Sequence, residues 1–405
     1  MNVIFLNDQA HVNGGAALVA LEEAKALARA GHRVWLMSCA EPVDDSLKQA
    51  GVQVCCLGQK EIFEEKNRTS ACIRGMWNIQ ACRWARAQMA SCDPRDTIVH
   101  IHSWMKAFSP AALNTVLQMG FKTVMTLHDY FIACPNGAFM DYPSMKICKR
   151  KPLSAECILR NCDSRCYAHK LWRTGRTFLQ NKILRVPQKI HHYIAVSEFC
   201  ANVLKPHLPK NAKVSVLNNP IDIPKELPVD VAGNKKFIFV GRFSREKGAD
   251  IFARAAARMN VPALFIGDGY LREEIQKIYP GAEITGWLPH DEVMERLNQA
   301  RSLVFPSIWY EANPLAPLEA CARGIPVITS DQSAPIHYIE NNRTGLFFEM
   351  GNVNALCEQM QHMMNPSFAA QLGQTAHQKY WEHPWTMEKH RKELLKIYEA
   401  VLHHS

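Results

Sequence analysis

The sequence has 405 residues, of which 47% are hydrophobic and 21% are charged, and its formal net charge is +9. This composition excludes a disordered chain, and the length favours two domains over a single core. The positive charge favours an anionic partner, such as a phosphate ligand, a nucleic acid or a membrane surface.

Segments typical of strands and helices alternate through the first half of the chain. The first strand is predicted at residues 2–7 without a basic leader before it, so we expect no signal peptide and a cytoplasmic protein. Residues 16–30 have the apolar spacing of a helix, and Gly31 follows as a stop signal. Further strands are predicted at 32–38, 96–103, 122–129, 192–198 and 213–219. This alternation predicts a doubly wound α/β domain over residues 1–219.

A proline-spaced linker over residues 220–236 separates this domain from a second one over residues 237–384. In the second domain, strands are predicted at 237–242, 263–269, 282–287, 301–307, 325–331 and 344–350. Residues 385–405 are predicted to form an amphipathic helix. Ligands bind at the carboxyl ends of the strands in such sheets, so we expect the functional residues directly after strands.

Two glycines, Gly14 and Gly15, lie between the first predicted strand and the first predicted helix. Glycines at this position let the backbone approach the phosphate of a ligand closely. We therefore include both in the candidate ligand site.

Residues 130–168 hold five cysteines in a segment with little apolar periodicity. Because disulfides are disfavoured in a cytosolic chain, thiols or metal ligands are expected. Tetrahedral zinc bound by thiolates is the leading interpretation, with free thiols and disulfides as alternatives. The preferred ligands are Cys134, Cys148, Cys157 and Cys162, and Cys166 is a possible substitute for one of them.

Basic and apolar side chains interleave in the next segment, residues 169–192. A basic amphipathic helix can lie on an anionic membrane, which would suit an acceptor linked to a lipid. The alternative is a helix packed on the first domain with a solvated basic face.

Two cations follow the first strand of the second domain. Arg242 comes directly after that strand, and Lys247 lies at the entry to a helix opened by Gly248. Fixed cations near a cleft suit a diphosphate, because charge-assisted hydrogen bonds to phosphate are strong and directional. The alternative is a basic turn on the surface.

A short helix is predicted after the strand at 301–307. Pro314 and Pro317 suit its first turn, and Gly324 is its stop signal. The backbone N–H groups from Asn313 to Ala316 have no partners within the helix, so the helix start is a candidate anion site.

Two carboxylates flank this helix start. Glu311 lies on the loop before it and Glu319 near its first turn. They are suited to accept hydrogen bonds from sugar and ribose hydroxyls around a bound phosphate. The alternative is that Glu319 complements the helix dipole and that Glu311 is solvated.

Together, the Gly-Gly loop, "GRFSREKG", "IGDG" and "EANPLAPLE" resemble the retaining GT-B glycosyltransferases that use nucleotide-diphosphate sugars. The resemblance covers nearly the whole chain. It implies an α/β GT-B architecture of two Rossmann-like domains that face each other across a cleft, with the helix at 385–405 completing the first, acceptor-side domain. It also implies that Glu311 contacts the donor sugar, Glu319 the ribose, and Arg242 and Lys247 the diphosphate.

The resemblance assigns further residues to the donor site. Backbone amides near Leu315 and Ala316 would assist in holding the diphosphate, and His128 of "LHDYF" matches the family's cleft histidine near the donor sugar. The segment "HDY…CPNG" is similar to segments of bacterial glycosyltransferases that build surface polysaccharides such as capsule, O-antigen and exopolysaccharide. The implied acceptor is a polysaccharide or a lipid-linked glycan at the inner face of the cytoplasmic membrane.

The expected chemistry needs no catalytic metal, because the two cations stabilise the departing phosphate while the sugar gains oxocarbenium character. One alternative is a nucleotide-sugar epimerase on the same fold, which would release free nucleotide without an acceptor. Another is a non-catalytic subunit that binds nucleotide sugars. A nucleic-acid-binding role is not expected, since the basic residues are spread among acids.

Overall fold

The computed structural model describes residues 1–403, which form two compact units. The first unit contains Met1–Phe139, Lys149–Pro220 and the chain from Trp385 onward. The second contains Ile221–Pro384 together with Met140–Cys148. The cysteine-rich segment predicted as part of the first domain is therefore divided between the two units.

The secondary structure alternates along both units. In chain order, the strands β1 to β16 are Asn2–Leu6, Gln9–Ala10, Arg33–Val43, Gln53–Gln59, Thr97–Ile101, Lys122–Leu127, Met140–Asp141, Lys146–Ile147, His192–Ala195, Val214–Val216, Lys236–Val240, Ala263–Ile266, Glu283–Ile284, Ala300–Phe305, Val327–Ser330 and Gly345–Phe348. The helices α1 to α16 are Gly15–Arg29, Asp45–Gln49, Arg68–Met76, Ile79–Met89, Pro110–Leu117, Ala155–Leu159, Tyr167–Phe178, Val186–Lys189, Glu198–Leu204, Ala249–Met259, Arg272–Ile278, His290–Leu297, Leu315–Ala322, Val353–Met363, Pro366–Glu382 and Met387–His403.

The first unit is built on a parallel sheet with the strand order β10-β9-β6-β5-β1-β3-β2, and β4 also pairs with β3. Because β1 pairs with β3 and β5 on its two edges, its run "VIFL" is buried on both faces. Helix α16 packs into this core through Leu394 and Tyr398. Its predicted end, residues 404–405, lies outside the described residues.

The second unit is built on a parallel sheet with the strand order β13-β12-β11-β14-β15-β16. Strands β11 and β14 are neighbours, so the loops that follow them lie at one edge. Gly248, at the start of α10, has a φ of +71°, and a Cβ there would lie 2.1 Å from the carbonyl oxygen of Pro306. Only glycine allows α10 to begin this close to the loop after β14.

The segment 140–148 of the second unit is a small hairpin in which β7 and β8 pair antiparallel. Within residues 1–403, no helix has both the length and the apolar character that a membrane span requires.

Candidate active site

Helix α13 begins and ends where the sequence predicts. Pro314 precedes it in an extended conformation, and Gly324 follows it with a φ of +73°. Proline cannot donate an intrahelical hydrogen bond, and glycine tolerates the left-handed conformation that ends a helix. The first-turn amides of α13, including those of Leu315 and Ala316, point out of the helix start, since they have no carbonyl partner within the helix. Asn313, also predicted at this site, is buried just before it.

The buried carboxylate of Glu311 is held through one of its oxygens. Its Oε1 accepts hydrogen bonds from Lys247 Nζ at 2.6 Å, Ser307 Oγ at 2.8 Å and Trp309 Nε1 at 2.6 Å. The Lys247 ammonium also lies 5.3 Å from the centre of the Trp309 ring, within the range of a cation–π contact. All three donors act on Oε1, so Oε2 retains its capacity to accept hydrogen bonds.

Glu319 lies on α13 and is also buried. Its Oε1 lies 2.9 Å from Nε2 of His290, the first residue of α12. The hydrogen bond to this carboxylate raises the pKa of His290 above its usual value, because the negative charge stabilises the imidazolium. The contact restrains the Glu319 side chain from a second helix.

Arg242 is placed less firmly than Lys247. Its side chain is 58% exposed, and its nearest acidic partner is Glu246, at 3.5 Å. Such an exposed pair contributes little to stability. The loop itself is fixed, because the carbonyl oxygen of Glu246 accepts hydrogen bonds from Ser307 Oγ and from the backbone N–H of Ile308. The loops that carry Lys247 and Glu311 are thus joined by both side-chain and backbone contacts. The side chain of Arg242, in contrast, extends into solvent.

Sequence reasoning missed three residues of this site: Ser307, Trp309 and His290. Ser307 and Trp309 share the loop of Glu311, and their hydrogen-bonding side chains four and two residues before it were the available signal. No local signal identifies His290, which is 29 residues before Glu319 in the chain.

The remaining predicted ligand residues lie in the first unit. Gly14 caps α1 with a φ of +110°, and Gly15 is the first residue of that helix. His128 is half-buried directly after β6, and its Nε2 lies 2.8 Å from His102 Nδ1. Burial lowers the pKa of His128 to about 3, so its ring is neutral at neutral pH.

Three of the predicted metal ligands are buried beside polar side chains. The Nζ of Lys170, which is fully buried, lies 3.4 Å from Cys157 Sγ, and the side-chain amide of Asn136 donates to Cys162 Sγ at 3.5 Å. Cys134 contacts the same asparagine at 3.1 Å. Cys148 belongs to the second unit, and Cys166 is exposed. All fourteen cysteines lie within the described residues, and none of them is paired in a disulfide there.

The segment 169–192, predicted as a basic helix, is largely helical, and two of its basic side chains are buried in the first unit. It comprises α7, one turn of π-helix at Leu179–Ile183, and α8. Lys170 and Arg176 are buried rather than solvated, because Lys170 meets the thiols and Arg176 donates to the carbonyl oxygen of Met105 at 3.1 Å. Apolar side chains are exposed on this helix instead: Leu171, Phe178 and Ile183.

Two family models match adjoining parts of the chain. Residues 13–225 match the model described as Glycosyltransferase Family 4, and residues 226–379 match the model described as Glycosyl transferases group 1. The first match alone spans more than half of the chain. The chain belongs to Glycosyltransferase Family 4.

Solved structures agree with this assignment at the level of the fold. Sucrose-phosphate synthase from Thermosynechococcus elongatus has a TM-score of 0.73 at 18% identity, and the match covers 100% of both chains. Anabaena HepE, solved in complex with UDP, has a TM-score of 0.66 at 16% identity, covering 99% of this chain and all of that one. The predicted α/β class and GT-B architecture are therefore confirmed.

Among curated relatives of this chain, an uncharacterized 42.6 kDa protein in the cps region of Klebsiella pneumoniae is 24% identical over 344 residues, covering 82% of this chain and 85% of that protein. The first four curated relatives match over only 43, 29, 43 and 59% of their own lengths.

Proposed function

We propose that the protein is a retaining glycosyltransferase that moves a sugar from a nucleotide-diphosphate donor to a polysaccharide or lipid-linked glycan in bacterial surface-glycan synthesis. The observation that carries the proposal is the buried Glu311 carboxylate, held on Oε1 by Lys247, Ser307 and Trp309 just before the start of α13. Family membership and the UDP complex of the structurally similar HepE support a nucleotide-sugar donor.

In this reaction the cations act on the leaving group. Cleavage of the bond between the sugar and the diphosphate leaves negative charge on phosphate and positive character on the sugar ring. Lys247 and Arg242 stabilise the departing diphosphate, with help from the amides at the start of α13. Because these groups already supply positive charge, we expect transfer without a catalytic metal.

The two carboxylates recognise the rest of the donor. Oε2 of Glu311 accepts a hydrogen bond from a hydroxyl of the donor sugar, and its charge favours the oxocarbenium character of the transition state. Glu319 accepts hydrogen bonds from the ribose, and His290 keeps the carboxylate in place. In the first unit, His128 contacts the sugar, and Gly14 and Gly15 let the backbone approach the ligand phosphate.

We also propose a structural zinc ion bound by Cys134, Cys157, Cys162 and Cys148, with Cys166 as the substitute. Support comes from the groups beside the buried thiols, because the Lys170 ammonium and the Asn136 amide are donors suited to metal-bound thiolates. Zinc would order a segment that has few apolar residues of its own.

An acceptor carried on a lipid requires the enzyme to contact a membrane surface. Helices α3 and α7 carry exposed apolar side chains suited to such a contact. They lie side by side, since Trp172 Nε1 donates to the carbonyl oxygen of Cys72. Ile73 and Trp77 are exposed at α3, and Phe178 and Ile183 are exposed at α7 and at the π-helical turn that follows it. We propose that this apolar face, flanked by basic side chains, contacts the inner face of the cytoplasmic membrane.

The deciding experiment is sugar transfer. The purified protein is screened by thermal shift against UDP, GDP and ADP sugars, and the stabilising donor is then incubated with lipid-linked acceptors. Transfer with the donor's anomeric configuration preserved, determined by NMR of the product, supports the proposal. Release of nucleotide with an epimerised free sugar would identify an epimerase. Tight donor binding without turnover on any acceptor would identify a binding subunit.

A further inference from the structure

A chain of buried polar side chains leads from the interior of the first unit to His128. Glu23 of α1 lies against His102, which follows β5, with Oε2 and Nε2 3.4 Å apart. His102 Nδ1 in turn lies 2.8 Å from His128 Nε2. Glu23 and His102 are buried, and the proposed function uses neither of them.

The carboxylate of Glu23, which lies on α1, is held from α16 by His390. His390 of α16 has both ring nitrogens facing acceptors: Nε2 lies 2.8 Å from Glu23 Oε1, and Nδ1 lies 2.9 Å from the carbonyl oxygen of Asn218. Both nitrogens must therefore donate for both hydrogen bonds to form. Burial opposes ionisation of Glu23, but His102 and His390 outweigh it and hold its pKa well below the usual value. The carboxylate is thus an acceptor only.

His100 of β5 provides the second acceptor beside His102. Tyr398 of α16 lies 2.6 Å from His100 Nδ1. Burial raises the pKa of Tyr398 well above its usual value, so its hydroxyl keeps its proton and donates it to Nδ1. The other ring nitrogen, Nε2, then carries the imidazole proton and donates to Thr126 Oγ1 at 2.7 Å.

The position of the His102 proton follows from these contacts. Its Nε2 faces the Glu23 carboxylate and lies 3.2 Å from His100 Nδ1, which already accepts from Tyr398. With acceptors on both sides, Nε2 must carry the proton. With its ring proton on Nε2, His102 presents a lone pair on Nδ1, which can only accept a hydrogen bond from His128 Nε2–H.

We propose that Glu23 and His102 are positioning residues that hold His128 as its Nε2–H tautomer, with the lone pair on Nδ1 available to accept a hydrogen bond from a substrate hydroxyl. Within residues 1–403, His128 Nδ1 has no hydrogen-bond partner. The tautomer follows from the buried contacts alone; only its use on a sugar hydroxyl depends on the proposed function.

The same side chains could instead hold a cation, because the ligand atoms of Glu23, His100 and His102 lie within 4.8 Å of one another. The hydrogen bonds favour the hydrogen-bonded arrangement described above over a bound cation. Tyr398 already occupies the lone pair of His100 Nδ1, and each nitrogen of the two rings has a partner. Metal analysis is nevertheless part of the test.

The test is ¹⁵N NMR on protein labelled at its 17 histidines, with the His128 signals assigned by their loss in His128→Gln. A protonated ring nitrogen and a bare one have different ¹⁵N shifts. We expect Nε2–H in the wild type and a shift towards Nδ1–H in Glu23→Gln, since the amide can donate to His102 Nε2. An Nδ1–H tautomer in the wild type, or the same tautomer in both proteins, would overturn the proposal.

His390→Gln is the matched control. It removes a partner of the same carboxylate at Oε1 but leaves Oε2 facing His102, so the His128 tautomer should not change although stability falls. If Glu23→Gln does not fold, His102→Gln replaces it, and the His128 signals should then become those of a mixture of tautomers. A metal ion retained in Cys148→Ser but lost in Glu23→Gln would also contradict the proposal.

The turnover rate kcat provides a second measurement, which would not change if Glu23 had only a structural role. In Glu23→Gln, kcat should fall about tenfold, because His128 Nδ1 then carries the proton and no longer accepts a hydrogen bond from the substrate hydroxyl, while affinity for the nucleotide diphosphate alone is unchanged. His390→Gln should keep the wild-type kcat once both proteins are compared below their melting temperatures. Equal losses of kcat in both variants would overturn the positioning role. If the wild type transfers no sugar, the proposed function fails, but NMR still decides the tautomer.

Discussion

The Nζ of Lys247 lies 2.6 Å from Oε1 of Glu311, so that the loop after β11 and the loop after β14 are joined by an ion pair shielded from solvent. An ammonium shared between a carboxylate and an incoming phosphate can strengthen its contact with the phosphate as negative charge grows there. This relationship motivates the first prediction.

Lys247→Ala is expected to lower the rate of sugar transfer about 10²–10³-fold at saturating donor, because the leaving diphosphate loses a charge contact. Binding of the nucleotide diphosphate, measured by titration calorimetry, should weaken less. Lys236→Ala is the control, since Lys236 forms an exposed ion pair with Glu283 in the same unit. A variant that transfers at nearly the normal rate would remove Lys247 from the donor site.

Glu319→Ala should weaken nucleotide binding by about 1.5–3 kcal/mol, because the ribose hydroxyls lose a charged acceptor. Titration calorimetry with the preferred nucleotide measures this. Glu283→Ala serves as the control, since Glu283 forms an exposed ion pair with Lys236 in the same unit, and affinity should be retained. Equal affinities of wild type and Glu319→Ala would contradict the ribose assignment.

The Glu319–His290 contact should make stability depend on pH. The pKa of His290 is raised above its unfolded value of 6.5, so the contact stabilises fully below pH 6.5 and loses its effect as pH rises through the folded pKa. The difference in unfolding free energy between wild type and His290→Ala should therefore shrink from pH 6 towards pH 8. Urea denaturation at several pH values tests this, and a difference that grew with pH would refute it.

Zinc should be present at about one ion per chain in protein purified without added metal. Elemental analysis should show its loss in Cys148→Ser, together with a lower melting temperature, since metal binding contributes to folding. Cys92→Ser, which changes a half-buried thiol outside the cysteine-rich segment, should keep the metal. A folded, active wild type without metal would leave the free-thiol interpretation.

Phe178→Glu should reduce binding to anionic lipid vesicles about tenfold or more, since burial of one large apolar side chain contributes about 1.5–3 kcal/mol. Vesicle co-sedimentation measures the loss. Leu227→Glu is the control, because Leu227 is 89% exposed but belongs to the other unit. The membrane proposal fails if both substitutions have the same effect, or if the wild type does not bind vesicles.

The central strands of the two parallel sheets were predictable. The apolar runs at 2–7 and 301–307 correspond to Asn2–Leu6 and Ala300–Phe305, since burial on both faces leaves an uninterrupted apolar segment. The ends of α13 were predictable for a different reason, because proline and glycine act through their own backbone conformations.

The partners of the polar side chains were not predictable. The positions of Lys170 and Arg176 follow the period of an amphipathic helix, but their burial depends on Cys157 and on Met105, which is 71 residues away. The contact of Glu23 with His390 spans 367 residues. A local pattern reports which face of an element is apolar, and it carries no information about which distant group satisfies a buried charge.

The pairing of Glu23 with His390 has a consequence for biosynthesis. Helix α1 leaves the ribosome near the start of translation, whereas α16 is made after the whole second unit. Until then, the carboxyl group of Glu23 on α1 has His102 beside it but lacks its contact with His390. The first unit therefore reaches its final packing only after translation of the second unit is complete, and a shortened chain ending at Pro220 would lack the imidazole of His390 that holds Glu23 Oε1.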